Sequence, residues 1–129
     1  MIDGEGSPAK ERVLALEGEL DVGTATDAHK RLPELGLPHG GRLVVDLSEV
    51  AFMDSNGIRF LLQAREHARR CGATYVVVRG PDEVMRVLEL VGLDEQLDIV
   101  TPAQSAAISA ASPASPAPTP AQSAAMPVR

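Results

Sequence analysis

Five consecutive residues, Met53-Asp54-Ser55-Asn56-Gly57, concentrate the chemistry of this chain. They separate an apolar stretch, Arg42-Leu43-Val44-Val45-Asp46-Leu47, from a segment of helical periodicity. At such a strand-to-helix turn the first backbone N–H groups of the helix point outward without partners. Asp, Ser and Asn all accept hydrogen bonds from them well, so one reading of the stretch is a helix cap and nothing more. The other reading is that the Ser55 hydroxyl stands open to a kinase. Phosphorylation would add about −1.5 to −2 charges at the turn. The positive end of the helix would accommodate that charge and neighbouring Asp54 would oppose it. The domain should therefore tolerate the phosphate, whereas a partner packed closely over the turn should not.

Nucleophilic catalysis by the same serine is disfavoured. Ser55 is not in a G-x-S-x-G elbow. His29, His39 and His67 fall on polar faces or in a loop, and His67 is about 18 Å along the helix from Ser55, too far to serve it as a base. No catalytic residue is assigned. The histidines lack metal-ligand spacing, and no glycine-rich phosphate loop or dinucleotide fingerprint is present, so neither metal nor cofactor is expected. Asp21, in Gly18-Glu19-Leu20-Asp21, reads by itself as the end of a strand.

Composition bounds the rest. The formal net charge is −6, and the densest basic group, Arg65, Arg69 and Arg70, is interrupted by Glu66. That balance argues against nucleic acid and against an anionic membrane surface as partners. Cys71 is the only cysteine, which excludes an internal disulfide and, with no signal peptide in view, points to a reducing cytoplasm. No apolar run approaches the ~20 residues of a membrane span. Aromatics make up only 2% of the chain, so its core must be aliphatic.

The elements that must position Ser55 follow from periodicity. Val13–Leu16 reads as a strand, and Gly18–Asp21 as a short strand or turn. Thr24 or Thr26 could cap a helix running to about Leu35. Residues 42–47 form a strand whose continuous apolar centre implies burial on both faces. A helix from about Asn56 to Arg70 places Phe60, Leu61, Ala64, Ala68 and Cys71 on one arc, extended by Ile58 and Leu62. Gly72 ends it. Thr74–Val78 is the clearest strand, rich in β-branched residues. Pro81-Asp82-Glu83 opens a helix with a Val84, Val87, Leu88, Val91 stripe, and Leu97–Val100 is a short last strand. Alternating strands and helices indicate an α/β domain with a largely parallel sheet. The expected organisation is a flexible N-terminus over 1–9, a domain over 10–101 and a disordered tail over 102–129. That tail is almost entirely Ala, Ser, Pro, Thr and Gln, too poor in bulky apolar groups to offset its ordering entropy.

Gly18-Glu19-Leu20-Asp21, Val44-Val45-Asp46-Leu47, Phe52-Met53-Asp54-Ser55-Asn56-Gly57, Gly72-Ala73, Val87-Leu88 and Val91-Gly92-Leu93 occur in the order and spacing of a known family. Over about residues 10–100 the chain resembles the STAS domain, shared by sulfate transporters and anti-sigma factor antagonists. The resemblance implies a mixed sheet of four to five strands with helices mainly on one face. It implies that Ser55 is a phosphorylation site and that Asp21, Asp54, Ser55, Asn56, Gly57 and Arg59 form the partner face. It implies an anti-sigma factor antagonist, which binds an anti-sigma factor with serine kinase activity until Ser55 is phosphorylated. A phosphatase acting on phospho-Ser55 would then restore binding. The family pattern has Ser or Thr where this chain has Asn56, which leaves Ser55 the sole acceptor hydroxyl in the turn. The alternative is a STAS subunit of a larger assembly, such as a lipid transport complex, with no phosphoswitch.

Overall fold

The structure, a computed structural model, describes residues 10–111, with side chains through residue 106. The segments read from sequence as a flexible start, 1–9, and as the last part of the tail, 112–129, lie outside the described residues. Four strands, β1 (Glu11–Leu20), β2 (Arg42–Met53), β3 (Thr74–Val78) and β4 (Ile99–Val100), form one sheet in the order β1-β2-β3-β4. Between them run α1 (Val22–Arg31), α2 (Ser55–Arg70) and α3 (Asp82–Leu90), with short 3-10 turns at Pro33–Leu35 and Leu93–Glu95. The four strands fall within the number that the family resemblance implies. Among the described residues all three strand pairings are parallel. Each strand is followed by a helical crossover before the next begins, and such a crossover returns the chain in the same direction.

The helices share one face of the sheet. Leu14, Leu43, Val45 and Val77 alternate along their strands and join one core with Ala25 and Ala28 of α1, Phe60, Leu61, Ala64 and Ala68 of α2, and Val84, Met85 and Leu88 of α3. On the opposite face Val44, Val76 and Val78 are also buried, as the unbroken apolar centres of β2 and β3 require. The Tyr75 hydroxyl donates to the Leu61 carbonyl at 2.9 Å, which gives the one phenol of the chain a partner between β3 and α2.

β1 and β2 are longer than their apolar runs suggest. Gly18-Glu19-Leu20 continues β1, and β2 runs to Met53. Buried residues of β1 keep a period of two, at Leu14, Leu16 and Leu20 with Gly18 between. Those of β2 fall at Leu43, Val45 and Leu47, then at Val50 and Met53. The two three-residue steps coincide with the two register shifts of the β1–β2 ladder. At each, β2 carries one extra residue, which is a β-bulge. The Ser48 N–H donates to Asp46 Oδ1 at 2.9 Å at the first of them. The bulges rephase β2 so that Met53 points into the core opposite Leu20.

Further differences have local causes. A helix, α4 (Pro102–Ala111), stands at the start of the segment expected to be disordered. Thr101 and Gln104 cap it reciprocally: Gln104 N–H donates to Thr101 Oγ1 at 3.1 Å, and Thr101 N–H to Gln104 Oε1 at 2.8 Å. Alanine-rich sequence needs little burial to favour a helix once its first turn is capped. Leu62 of α2 and Val91 after α3, both assigned to core stripes from spacing, are exposed, and Met85 is buried instead.

Candidate functional site

Asp21 and Asp54 occupy equivalent places. Each follows a residue of the last β1–β2 pair, Leu20 and Met53, and each precedes a helix. Both have extended backbone, with φ near −110°. Asp21 Oδ1 accepts from Gly23 N at 3.1 Å and Thr24 N at 3.2 Å, and Thr24 Oγ1 accepts from Asp21 N at 2.9 Å. The cap of α1 is thus Asp21, and Thr24 is its reciprocal partner three residues on, not the cap that spacing suggested. These N–H donors, the Thr24 backbone first, hold the Asp21 carboxyl below the usual carboxylate range. A depressed folded-state pKa adds stability above the unfolded value, here about 3.8, which is lost as pH falls through the lower folded value. Acid unfolding of Asp21→Asn, followed by circular dichroism, should lack that part of the decline below about pH 4.

At α2 the cap is Asp54, whose Oδ1 accepts from Asn56 N at 2.8 Å. Gly57 N and Ile58 N donate to the Asp54 carbonyl at 3.0 and 3.3 Å. This arrangement decides between the two sequence readings of the turn as far as capping goes. Ser55 is the first helical residue, it is exposed, and among the described residues no hydrogen bond engages its hydroxyl. Asn56 contributes its backbone N–H and does not cap. Arg59 is exposed on the same helix at i+4 from Ser55, within reach of a group attached there. His67 stands three turns away at the far end of α2, and among the described residues no Ser/His/Asp constellation forms around Ser55.

Gly57 is buried where α2 meets the ends of both strands. A Cβ there would lie 2.2 Å from Met53 Cγ, 2.8 Å from Met53 Sδ and 3.1 Å from Leu20 Cδ2. The glycine lets the first turn of α2 sit against the Leu20–Met53 pair and so fixes the height of Ser55 above the sheet. Gly57→Ala should lose about 1–3 kcal/mol of unfolding free energy by urea denaturation, the range for overpacking. An unchanged midpoint would mean that Met53 swings aside without cost.

The six residues expected at the partner face, Asp21, Asp54, Ser55, Asn56, Gly57 and Arg59, therefore cluster at the carboxyl ends of β1 and β2, where open parallel sheets present their sites. Gly57 takes part from below, as packing. Two neighbours were not singled out from sequence. Val22, the first residue of α1, and Phe52, two residues before Asp54, are 62% and 51% exposed. Among the described residues no His, Cys, Asp and Glu side chains gather as a metal site, and no helix is long and apolar enough to cross a membrane.

Known proteins resemble this chain over the same domain. The family model described as "Mlab, STAS domain" matches residues 4–101. The anti-sigma-B factor antagonist of Listeria monocytogenes is 30% identical over 86 residues, 67% of this chain and 75% of that protein. The anti-sigma-F factor antagonist RsfB of Mycobacterium tuberculosis is 34% identical over 83 residues, 64% of this chain and 67% of that protein. A crystal structure of an anti-sigma factor antagonist from Mycobacterium paratuberculosis superposes with a TM-score of 0.60 at 27% identity, covering 78% of this chain and 85% of that one. The antagonist SpoIIAA in its unphosphorylated form superposes at 0.61 with 17% identity over 75% and 85% of the two chains, a likeness of fold.

Proposed function

The chain belongs to the STAS domain family, and on that premise we propose that it is an anti-sigma factor antagonist switched at Ser55. Unphosphorylated, it binds an anti-sigma factor that is also a serine kinase and so frees a sigma factor for transcription. Transfer of the ATP γ-phosphoryl group to Ser55 Oγ, with loss of the hydroxyl proton, ends the interaction. A phosphatase acting on phospho-Ser55 resets it. The contact face is formed by Asp21, Asp54, Ser55, Asn56 and Arg59 above Gly57.

The observation that carries this reading is the division of labour at the α2 terminus. Asp54 does the capping, and Ser55 is left exposed with its hydroxyl unengaged among the described residues. A serine needed as a cap would be hidden from a kinase by its own hydrogen bond. The names of the relatives support the general role.

The test is incubation of the purified chain with each anti-sigma factor kinase of its host and ATP, read by intact mass and fragment mapping. One added phosphate, located on Ser55 and absent from Ser55→Ala, is the expected result. No phosphate with any kinase, or phosphate at another residue, would sink the switch. Co-purification with transport ATPase subunits and no phosphate at Ser55 would favour the structural-subunit alternative.

A further inference from the structure

All three histidines of this chain lie at the end of the domain away from Ser55. The strands are parallel, so α1 and α2 both run back to the amino ends of the strands that follow them, β2 and β3. The last turn of α1 holds His29, Lys30 and Arg31, and that of α2 holds His67, Arg69 and Arg70. The two helices pack against each other. The loops after them are tied together where the Gly40 N–H donates to the Gly72 carbonyl at 2.9 Å. His39, from the first loop, lies over Gly72: a Cβ there would stand 2.3 Å from His39 Cδ2.

Cations in a last turn answer the negative end of a helix, which accounts for some of this charge. It does not account for the crowding, and the last turn of α3 holds no basic residue at all. Burial, then the Arg70 guanidinium and the His29 ring, hold the His67 imidazole below the ordinary histidine range. Groups from both helices thus already repel one another. Arg69 is paired with Glu66 on its own helix, whereas among the described residues no carboxylate forms an ion pair with His29, Lys30, Arg31, His67 or Arg70. The repulsion is left without a counter-charge inside the domain.

We propose that His29, Lys30, His67 and Arg70 form a second interaction surface, which binds a short acidic segment of a protein partner at the end of the domain opposite Ser55. This surface is independent of the phosphoswitch. Its size favours a short occupant. Packed helices lie about 8–10 Å apart, and three or four extended residues span about 10–13 Å. A long polyanion, such as a nucleic acid or an anionic membrane, would lay the rest of its charge against a molecule of net charge −6. Carboxylates seated beside His67 oppose the push of Arg70 and His29. The groups facing that ring are His29 from α1, Arg70 and Cys71 on its own helix, the last with Sγ 3.7 Å from His67 Nε2, and His39 over the adjoining Gly72. His67 should therefore take up a proton more readily in the complex, and affinity should rise as pH falls from about 8 to 6.

The test is a titration of the full chain with a synthetic hexaglutamate peptide at low ionic strength, followed by two-dimensional NMR. Saturable shifts at residues 29–31 and 67–71 are expected. Arg70→Glu should weaken binding about 10-fold. Arg86→Glu, which changes the net charge equally at an exposed position of α3, should weaken it no more than about 2-fold. The ring resonances of His67 should titrate at a higher pH with the peptide than without it. Should Arg70→Glu lose its fold by circular dichroism, Lys30→Glu, at an exposed position of α1, takes its place. Shifts spread over the other cations, equal losses in the α2 and α3 variants, or a His67 titration that the peptide leaves unmoved would overturn the surface. Tighter binding of a single-stranded oligonucleotide, or of vesicles rich in anionic lipid, at the same residues would overturn the acidic protein segment as its occupant. None of these outcomes bears on phosphate transfer to Ser55.

Discussion

Phe60→Ala is expected to remove about 3–5 kcal/mol of unfolding free energy, the range for a phenylalanine lost from a packed core. Phe60 is fully buried on α2, and the core it joins is otherwise built of Leu, Val, Ala and Met, with Tyr75 the one other aromatic ring packed against it. Small aliphatic groups fixed in a sheet and two helices collapse poorly into a ring-sized void. A domain of roughly 90 residues holds about 5–14 kcal/mol in total, so the variant should sit near the edge of folding. Leu62→Ala, two residues on, should cost far less, about 1 kcal/mol, because Leu62 is 36% exposed and borders the core without entering it. Urea melts of the two variants check both numbers. Equal losses would mean that α2 turns Leu62 into the core in solution.

That contrast also marks where sequence reading stops. Apolar spacing on α2 spans an arc from Phe60 through Leu61 and Ile58 to Leu62, about 200° at 100° per residue. The helix buries about half of it, from Phe60 to Leu61 with Gly57, Ala64 and Ala68 between. A glycine has no hydropathy to announce that it faces the core, and Leu62 looks like any core leucine. The width of the buried stripe is set by α1 and the sheet, which local periodicity cannot report.

Strand ends show the same limit. The 42–47 run and the 74–78 run are legible because burial on both faces leaves them continuously apolar. The second half of β2 is not, since Ser48, Glu49 and Ala51 break any alternation. Two bulges restore the phase, and bulges depend on the partner strand. The alternation of strands and helices points to a largely parallel sheet, and every described pair is parallel. At the site itself the residue types were legible and their roles were not. Asp, Ser and Asn are near-equal caps by propensity. Only the register of Leu20 with Met53 makes Asp54 the counterpart of Asp21 and moves Ser55 into the helix. Asp21, which by itself reads as a strand end, becomes half of a capping box for the same reason.

Phosphorylation of Ser55 should separate binding from stability. In the complex a phosphate pressed against a protein surface without a cation to meet it loses its hydration, at a cost of about 3 kcal/mol, or roughly a 100-fold weaker Kd. In the free domain the same group stays in water at the first residue of α2. There the helix N-terminus favours it by about 0.3–1 kcal/mol. Arg59, at i+4, adds a cation on the same face. Asp54 beside it and Asp21 across the paired strand ends repel it, so the opposing contributions nearly cancel. The phosphorylated chain should therefore unfold within about 0.5 kcal/mol of the unmodified one while its affinity for the anti-sigma factor falls about 100-fold. Ser55→Ala, which keeps the Asp54 cap and adds no charge, should bind as wild type. Ser55→Asp carries only one charge and lacks the bulk of a phosphate, so its loss should be smaller than that of the phosphorylated chain. Calorimetric titration and urea melts on the same four samples give both quantities. A fall in affinity matched by an equal fall in stability would mean that the phosphate acts by melting the first turn of α2. Lost affinity at constant stability would mean that it acts on the partner, across a turn whose own hydrogen bonds never used the Ser55 hydroxyl.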